Sequence, residues 1–394
     1  MFEDLIKGSQ NRRSDVCWIF FAVDAKPTSM RRALAERLTE NEPVIVVDRL
    51  LSVFRDHKAP PLEERCNRLP GVKGSWNYQL LHFPERLPGM SGILKRLNRR
   101  QLQRDLNHLL PQAASRIVCY DSPTQDNLVG KLRENVSIYL AIDDRTITVW
   151  GNPIPGEIEA EKRLLSQVDK VVCVSESLAE VLGSRVPNGR TLPIHVLPNG
   201  YDERIFDPNL DQYEPDALCR ISRPRILVAG HVSERIDWEG VRGAVKARPD
   251  WTWVFIGPAD TGMKERINTL TGRTFYHPPV SVEEVPAWIK HCNACAVPYR
   301  LNAFTRASHP LKAIEYLAMG APVLSTRITS LECYDGAIEW VKEGNGESYA
   351  RALDEIANQA GKQEIRQLRR RVVSEDSWGR RAKQFREIVF DAIT

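Results

Sequence analysis

Apolar runs of strand length alternate with stretches of helical spacing from Cys17 to Ser325, and this alternation narrows the possible folds more than any other feature. A parallel strand buried on both faces reads as an unbroken apolar run, and a helix packed on it shows apolar residues three and four apart. In the first half the runs are Cys17–Val23, Val44–Val47, Ile117–Tyr120, Val136–Ile142, Val171–Val174 and His195–Leu197, with helical patterns such as Met30–Leu38 and Ile158–Gln167 between them. After Pro208 the chain turns polar and acidic, from Asn209 to Ala217, and periodicity stops. A second series opens with Arg225–Gly230 and continues with Trp251–Gly257, Thr274–His277, Ala294–Pro298 and Pro322–Ser325. Strand–helix alternation implies parallel sheets covered by helices. Two series separated by a polar break predict two Rossmann-like, doubly wound α/β domains facing across a cleft. The boundaries expected are 1–207 for the first domain, 208–222 for a linker and 223–376 for the second. A last helix over 377–394 carries Trp378, Phe385, Ile388 and Val389 on one side. At 394 residues the chain exceeds what one ordinary core accommodates.

The apolar share of 42% and charged share of 27% are those of a folded chain rather than a disordered one. A net charge of +4 does not by itself call for nucleic acid. The first apolar run, Val16 to Val23, follows charged residues and is too short to span a bilayer, so it reads as a buried strand; no secretory signal is expected, and the cytoplasm is the expected address. The cysteines sit mostly inside apolar runs, as buried thiols in a reducing compartment do. Cys292-Asn293-Ala294-Cys295, with His291 beside it, lacks a second ligand pair at zinc spacing, so no metal site is expected. Lys95, Arg96, Arg99, Arg100 and Arg104 are interleaved with Ile93, Leu94, Leu97, Leu102 and Leu106 and contain no acid. That is a basic amphipathic helix, with either a plain solvated face or a face suited to an anionic membrane at the inner side of the cell envelope. It has no aromatic platform for nucleic acid.

The stretch that carries most chemistry runs from His309 to Ser325. Pro310 is placed to open a helix reaching about Met319, and Gly320 to stop it before the next strand. The unpaired N–H groups at such a helix start, here Leu311 and Lys312, suit a diphosphate. Glu315 lies one turn on, where a carboxylate can take both hydroxyls of a ribose.

This segment, P-L-K-A-I-E-Y-L-A-M-G-A-P-V, resembles the donor-site helix of the GT-B glycosyltransferases of retaining family 4. Leu197-Pro198-Asn199-Gly200-Tyr201-Asp202 followed by Phe206 resembles the loop that closes that family's first domain. Val174-Ser175-Glu176-Ser177, Phe255-Ile256-Gly257-Pro258 and Val297-Pro298-Tyr299 resemble its strand ends. Bacterial members of the teichuronic-acid or surface-polysaccharide type also share the helix Met30–Leu38 and the paired Asp143-Asp144. The resemblance implies a nucleotide-sugar donor, UDP- or GDP-linked, bound by Gly230, His231, Arg235, Gly257, His309, Pro310, Leu311, Lys312 and Glu315. It implies a saccharide or lipid-linked acceptor, retention of configuration, and no metal or other cofactor. Arg235 and Lys312 would stabilise the departing diphosphate, and Asp143 or Asp144 would orient the acceptor or act as base. Asp24, Ser29, Asp121 and Ser175 would lie on the acceptor side. Each of these carboxylates can also be read as a cap or turn residue.

The chain departs from the family in three places. Family members usually carry two glutamates eight positions apart; the second corresponds to Glu315, and Ala307 stands at the first. His231 follows Gly230 where an arginine is usual, leaving Arg235 as the phosphate ligand. The first loop, Asp24-Ala25-Lys26-Pro27-Thr28-Ser29, is not glycine-rich, although Thr28 or Ser29 can cap the next helix. The competing readings are a nucleotide-sugar epimerase on the same fold and a non-catalytic binding subunit.

Overall fold

The computed structural model describes residues 16–22, 29–52, 61–68, 75–82, 91–110 and 115–390. Two sheets organise them. The first contains β1 (Val16–Phe21), β2 (Val44–Ser52), β3 (Cys66–Arg68), β4 (Ser75–His82), β5 (Ser115–Tyr120), β6 (Val136–Ala141), β7 (Lys170–Cys173) and β8 (Ile194–Val196). Their spatial order is β3-β4-β2-β1-β5-β6-β7-β8, parallel except for β3 against β4. The second contains β9 (Arg225–Ala229), β10 (Thr252–Ile256), β11 (Thr274–His277), β12 (Ala294–Val297), β13 (Val323–Thr326) and β14 (Ile338–Val341) in the order β11-β10-β9-β12-β13-β14, all parallel. The apolar runs of the sequence form the central strands of both sheets, except that His195–Leu197 and Thr274–His277 fall on the edge strands β8 and β11. Every residue of β6, β9 and β10 is buried, the pattern of strands covered on both faces.

The chain enters the second domain's core early. Phe206 and Leu218 are buried in it, with Tyr201 and Ile205 packed against it. The polar stretch expected as a linker therefore carries a short helix, Asp216–Cys219, anchored through Leu218.

The last helix, Trp378–Phe390, returns to the first domain: Trp378, Ala382, Phe385 and Val389 belong to that core, and the Phe385 ring lies 5.6 Å from Trp18. Lys170 Nζ donates to the carbonyls of Ile388 and Val389 at 2.7 and 2.9 Å, satisfying acceptors that a helix end leaves open. Arg386 and the Trp18 indole both donate to the buried Glu42. The two chain crossings between domains are bonded to each other, with the Tyr201 amide donating to the Asp376 carbonyl and the Trp378 amide to the Tyr201 carbonyl. A side chain at Gly200 would stand 2.6 Å from the Asp376 oxygen, so the Asn-Gly turn is fixed by this close approach.

Candidate active site

The carboxyl ends of β9 and β10 each finish in a glycine, Gly230 at φ 130° and Gly257 at φ 132°. Residues with side chains rarely adopt that region, and a Cβ at Gly257 would collide with the Gly230 carbonyl. The two bare strand ends open a cavity of about 480 Å³ lined by Gly230, His231, Ile256, Gly257, Pro258, Pro279, Val280, Val282 and Lys312, among others. Its walls are mainly aliphatic, and Lys312 supplies a cation, a composition that suits a planar base with an anionic tail.

Lys312 comes from the helix Leu311–Ala318, which begins one residue later than expected: Pro310 is its N-cap rather than its first residue. Lys312 Nζ donates to Glu315 Oε2 at 2.5 Å. Glu315 is buried, which pushes its carboxyl up, while Lys312 pulls it down. Lys312 stands in the cavity wall, and its partner Glu315, one helical turn on, is buried behind it.

Across the cleft, Asp143 sits at the carboxyl end of β6. Burial pushes its carboxyl up, opposed by the guanidinium groups of Arg235, Arg145 and Arg31 in that order. Arg235 from the second domain is thus near enough to bias the charge of Asp143 in the first, with no hydrogen bond or ion pair joining them among the described residues. The Arg235 guanidinium lies over the Tyr299 ring at 4.5 Å, which fixes the plane of the group, and its Nε has no partner. Arg31 is a residue the sequence reading missed. It pairs with Asp121, yet its Nε is buried and unbonded, and burial together with Arg145 lowers it to about 10. One of three arginines in the helix Met30–Leu38 gives no signal of this in the sequence.

Several expected site residues have other partners. Asp144 accepts from both terminal nitrogens of Arg185, at 3.1 and 3.0 Å, and from Thr146. Burial would raise it, but these hydrogen bonds hold it below the usual carboxylate range. It is therefore committed to the scaffold and not free to serve as a base. Asp121 is buried between Arg31, Arg145 and Gln125. Ser175 caps the helix Glu176–Arg185 and donates its hydroxyl to the Ala307 carbonyl at 2.6 Å, so it clamps the domains together. Ser29 occupies the N-cap position before Met30–Leu38 without making the cap bond expected of it, and its buried hydroxyl has no partner among the described residues. His231 bonds Asp260 at 2.7 Å on the cavity rim. His309 contributes its carbonyl to Asn199, but its ring is buried near Tyr334 and Arg381, and burial lowers it to about 3. It is neutral at physiological pH and cannot replace a charged ligand. Asp24 lies outside the described residues.

The missing glutamate has a physical reason. Ala307 is 2% exposed and packs in the first domain's core, with its carbonyl held by Ser175. A glutamate there would bury a carboxylate without a cation. Ala307→Glu is expected to lose about 2 kcal/mol or more of stability and gain no turnover; a chemical-denaturation curve and a rate measurement check both. The Cys292 and Cys295 thiols are buried in the second domain's core, where burial raises Cys292 to about 12.

Two facing Rossmann-like domains with a cavity at their carboxyl edges define the GT-B fold. Solved structures with that architecture match nearly the whole chain. A sucrose-phosphate synthase from Thermosynechococcus elongatus aligns with TM-score 0.73 at 15% identity, covering 96% of this chain and 99% of its own. The E. coli trehalose-6-phosphate structure bound with UDP-2-fluoro glucose aligns with TM-score 0.72 at 9% identity, covering 95% and 98%. More particularly, residues 223–359 match the family of glycosyl transferases group 1. The Bacillus subtilis protein TuaH, whose name places it in teichuronic acid biosynthesis as a glycosyltransferase, is 24% identical over 248 residues, 58% of this chain. That match spans 62% of the length of the curated relative.

Proposed function

We propose that the chain transfers a sugar from a nucleotide-sugar donor to a saccharide or lipid-linked acceptor in surface polysaccharide synthesis, with retention of configuration. The observation that carries this reading is the aliphatic cavity between Gly230 and Gly257 with Lys312 in its wall, paired to the buried Glu315. The nucleotide base enters the cavity, Glu315 takes the ribose hydroxyls, and the diphosphate lies between Lys312, the helix start at Leu311 and Arg235. The name of TuaH supports the polysaccharide context, and the E. coli neighbour of the same fold is bound with UDP-2-fluoro glucose.

In the reaction, the acceptor oxygen forms a bond to the anomeric carbon as the bond to the diphosphate breaks on the same face. The acceptor proton passes to the departing phosphate oxygen. Arg235 and Lys312 stabilise the negative charge that develops there, and they do so without reorganising, which is the largest single source of rate in such steps. Asp143, opposite Arg235, holds the acceptor hydroxyl in line. No divalent ion is needed in this scheme, because the two side-chain cations and the helix start take the charge.

A ligand that binds only the folded state raises the melting temperature, by about 2.7 kcal/mol of stability at one hundred times its dissociation constant. UDP or GDP is expected to give such a shift with the wild-type protein and none with Glu315→Ala. Thermal melts against UDP, GDP and their sugar conjugates decide the matter. If neither nucleotide shifts the wild type at millimolar concentration, the donor site is refuted and the binding-subunit reading takes its place.

A further inference from the structure

The helix Ser91–Leu109 takes no part in the cleft described above. Its inner face, Leu94, Leu102, Leu106 and Leu109, is buried against the first domain, together with Asp105, which is paired with Arg65 at 2.8 Å. Its outer face is unusual. Ile93 and Leu97 are 55% and 41% exposed, two of the large apolar side chains most open to solvent among the described residues. Around them Lys95, Arg96, Arg100 and Arg104 are exposed and Arg99 half-buried. Among the described residues none of these five cations has an acidic partner or a hydrogen bond. Elsewhere on the surface cations are commonly neutralised, as Arg163 is by Asp126, Arg248 by Asp250 and Arg380 by Glu375.

At about 100° per residue, Arg96, Arg100, Ile93, Arg104 and Leu97 fall within roughly 100° of arc. The face is therefore one stripe, aliphatic and cationic together. The helix joins β4 to β5, which run in the same direction, so it must return antiparallel to them and start at the carboxyl edge of the sheet. Ile93 and Leu97 lie on that first half, at the edge that also opens the cleft.

We propose that this stripe docks the protein on a membrane surface rich in anionic lipid, with Ile93 and Leu97 entering the headgroup region. A second copy of the chain would bring five unpaired cations against five. Nucleic acid would use the charge but not the two aliphatic side chains, and the stripe offers no aromatic ring for a base. Anionic lipid satisfies both halves of the face. It would place the cleft next to acceptors held in the same membrane.

The test is co-sedimentation of the full chain with vesicles of phosphatidylcholine alone or with about one third phosphatidylglycerol. Wild type is expected to bind the anionic vesicles only, and less as salt is raised. Arg96→Gln, Arg100→Gln and Arg104→Gln together are expected to weaken partitioning by roughly a hundredfold, at about fivefold per charge. Ile93→Ser with Leu97→Ser should abolish the binding that survives at high salt. All five positions face solvent, so the melting temperatures should match wild type. The proposal is overturned if wild type binds neither vesicle, binds both equally, or loses nothing in the charge variant. It is also overturned if the charge variant loses binding to duplex RNA and not to vesicles.

Discussion

Lys312→Ala should lower kcat by about a hundredfold or more while the protein remains folded. The reason is the position of the ammonium group. It lines the cavity between Gly230 and Gly257, one helical turn before Glu315, and its charge is taken by that buried carboxylate. When a diphosphate arrives, the lysine gains a second anionic partner whose charge rises further in the transition state. Losing one such cation costs about 3 kcal/mol of barrier, which is roughly a hundredfold in rate. The substitution also leaves Glu315 buried without its cation. Burial already pushes that carboxyl up, so it becomes more readily protonated in the variant, and its hold on a ribose then weakens. Lys312→Arg keeps the charge and should recover part of the rate. Steady-state kinetics with the donor identified by thermal melts, alongside the dissociation constant for the nucleoside diphosphate, separate the two effects. A kcat within threefold of wild type would remove Lys312 from the reaction.

The second domain's half of the candidate site could be picked out in the sequence because its residues are local. Pro310, Lys312, Glu315 and Gly320 lie within one helix and its caps, and the run Phe255-Ile256-Gly257-Pro258 is one strand end. The strands they belong to are continuous apolar runs, which is why the two domains were legible too. What escaped is what depends on contacts far apart in the chain. Arg31 and Asp121 lie ninety positions apart, and only the folded sheet brings them beside Asp143 and Arg235. The wall residues Pro279, Val280 and Val282 read as an ordinary loop. Ser175 resembled a strand end facing substrate, yet its hydroxyl spans the two domains. The strands β3, β4 and β14, at or next to the sheet edges, were missed for a related reason: segments such as Ser75-Trp76-Asn77-Tyr78-Gln79 mix polar with apolar residues and give no continuous run. His309 shows the opposite error. A histidine beside such a helix suggests a ligand, but its ring is buried beside Tyr334 and Arg381 and is neutral.

Arg185→Met is expected to cost the largest amount of stability of any single substitution here, about 3–5 kcal/mol at pH 7. Arg185 joins two buried carboxylates from different elements, Asp144 after β6 and Glu161 in the helix Glu157–Leu165. Glu161 is fully buried and otherwise accepts only from the Tyr139 hydroxyl, at 2.8 Å. Removing the guanidinium leaves two anions close together with no cation among the described residues in contact with either. The pH dependence follows from the signs of the two shifts. Asp144 is held below the usual range, so in the wild type it contributes stability above its ordinary pKa that is lost as pH falls through its folded value. Glu161 is raised by burial against the pull of Arg185, so its contribution has the opposite sense, present at low pH and lost as pH rises through the raised value. Without Arg185 both carboxyls move up, and both then favour the protonated form in the folded state. The penalty should therefore shrink toward about pH 4.5, where a protonated pair no longer carries charge. Urea denaturation of wild type and variant at pH 7 and pH 4.5 measures it. Adding Asp144→Asn and Glu161→Gln to the same chain should recover much of the loss at pH 7, because neutral groups of the same shape need no cation. A loss under about 1 kcal/mol, or one that does not change with pH, would mean that water reaches these carboxylates and that the triad is not what holds the helix Glu157–Leu165 against the sheet.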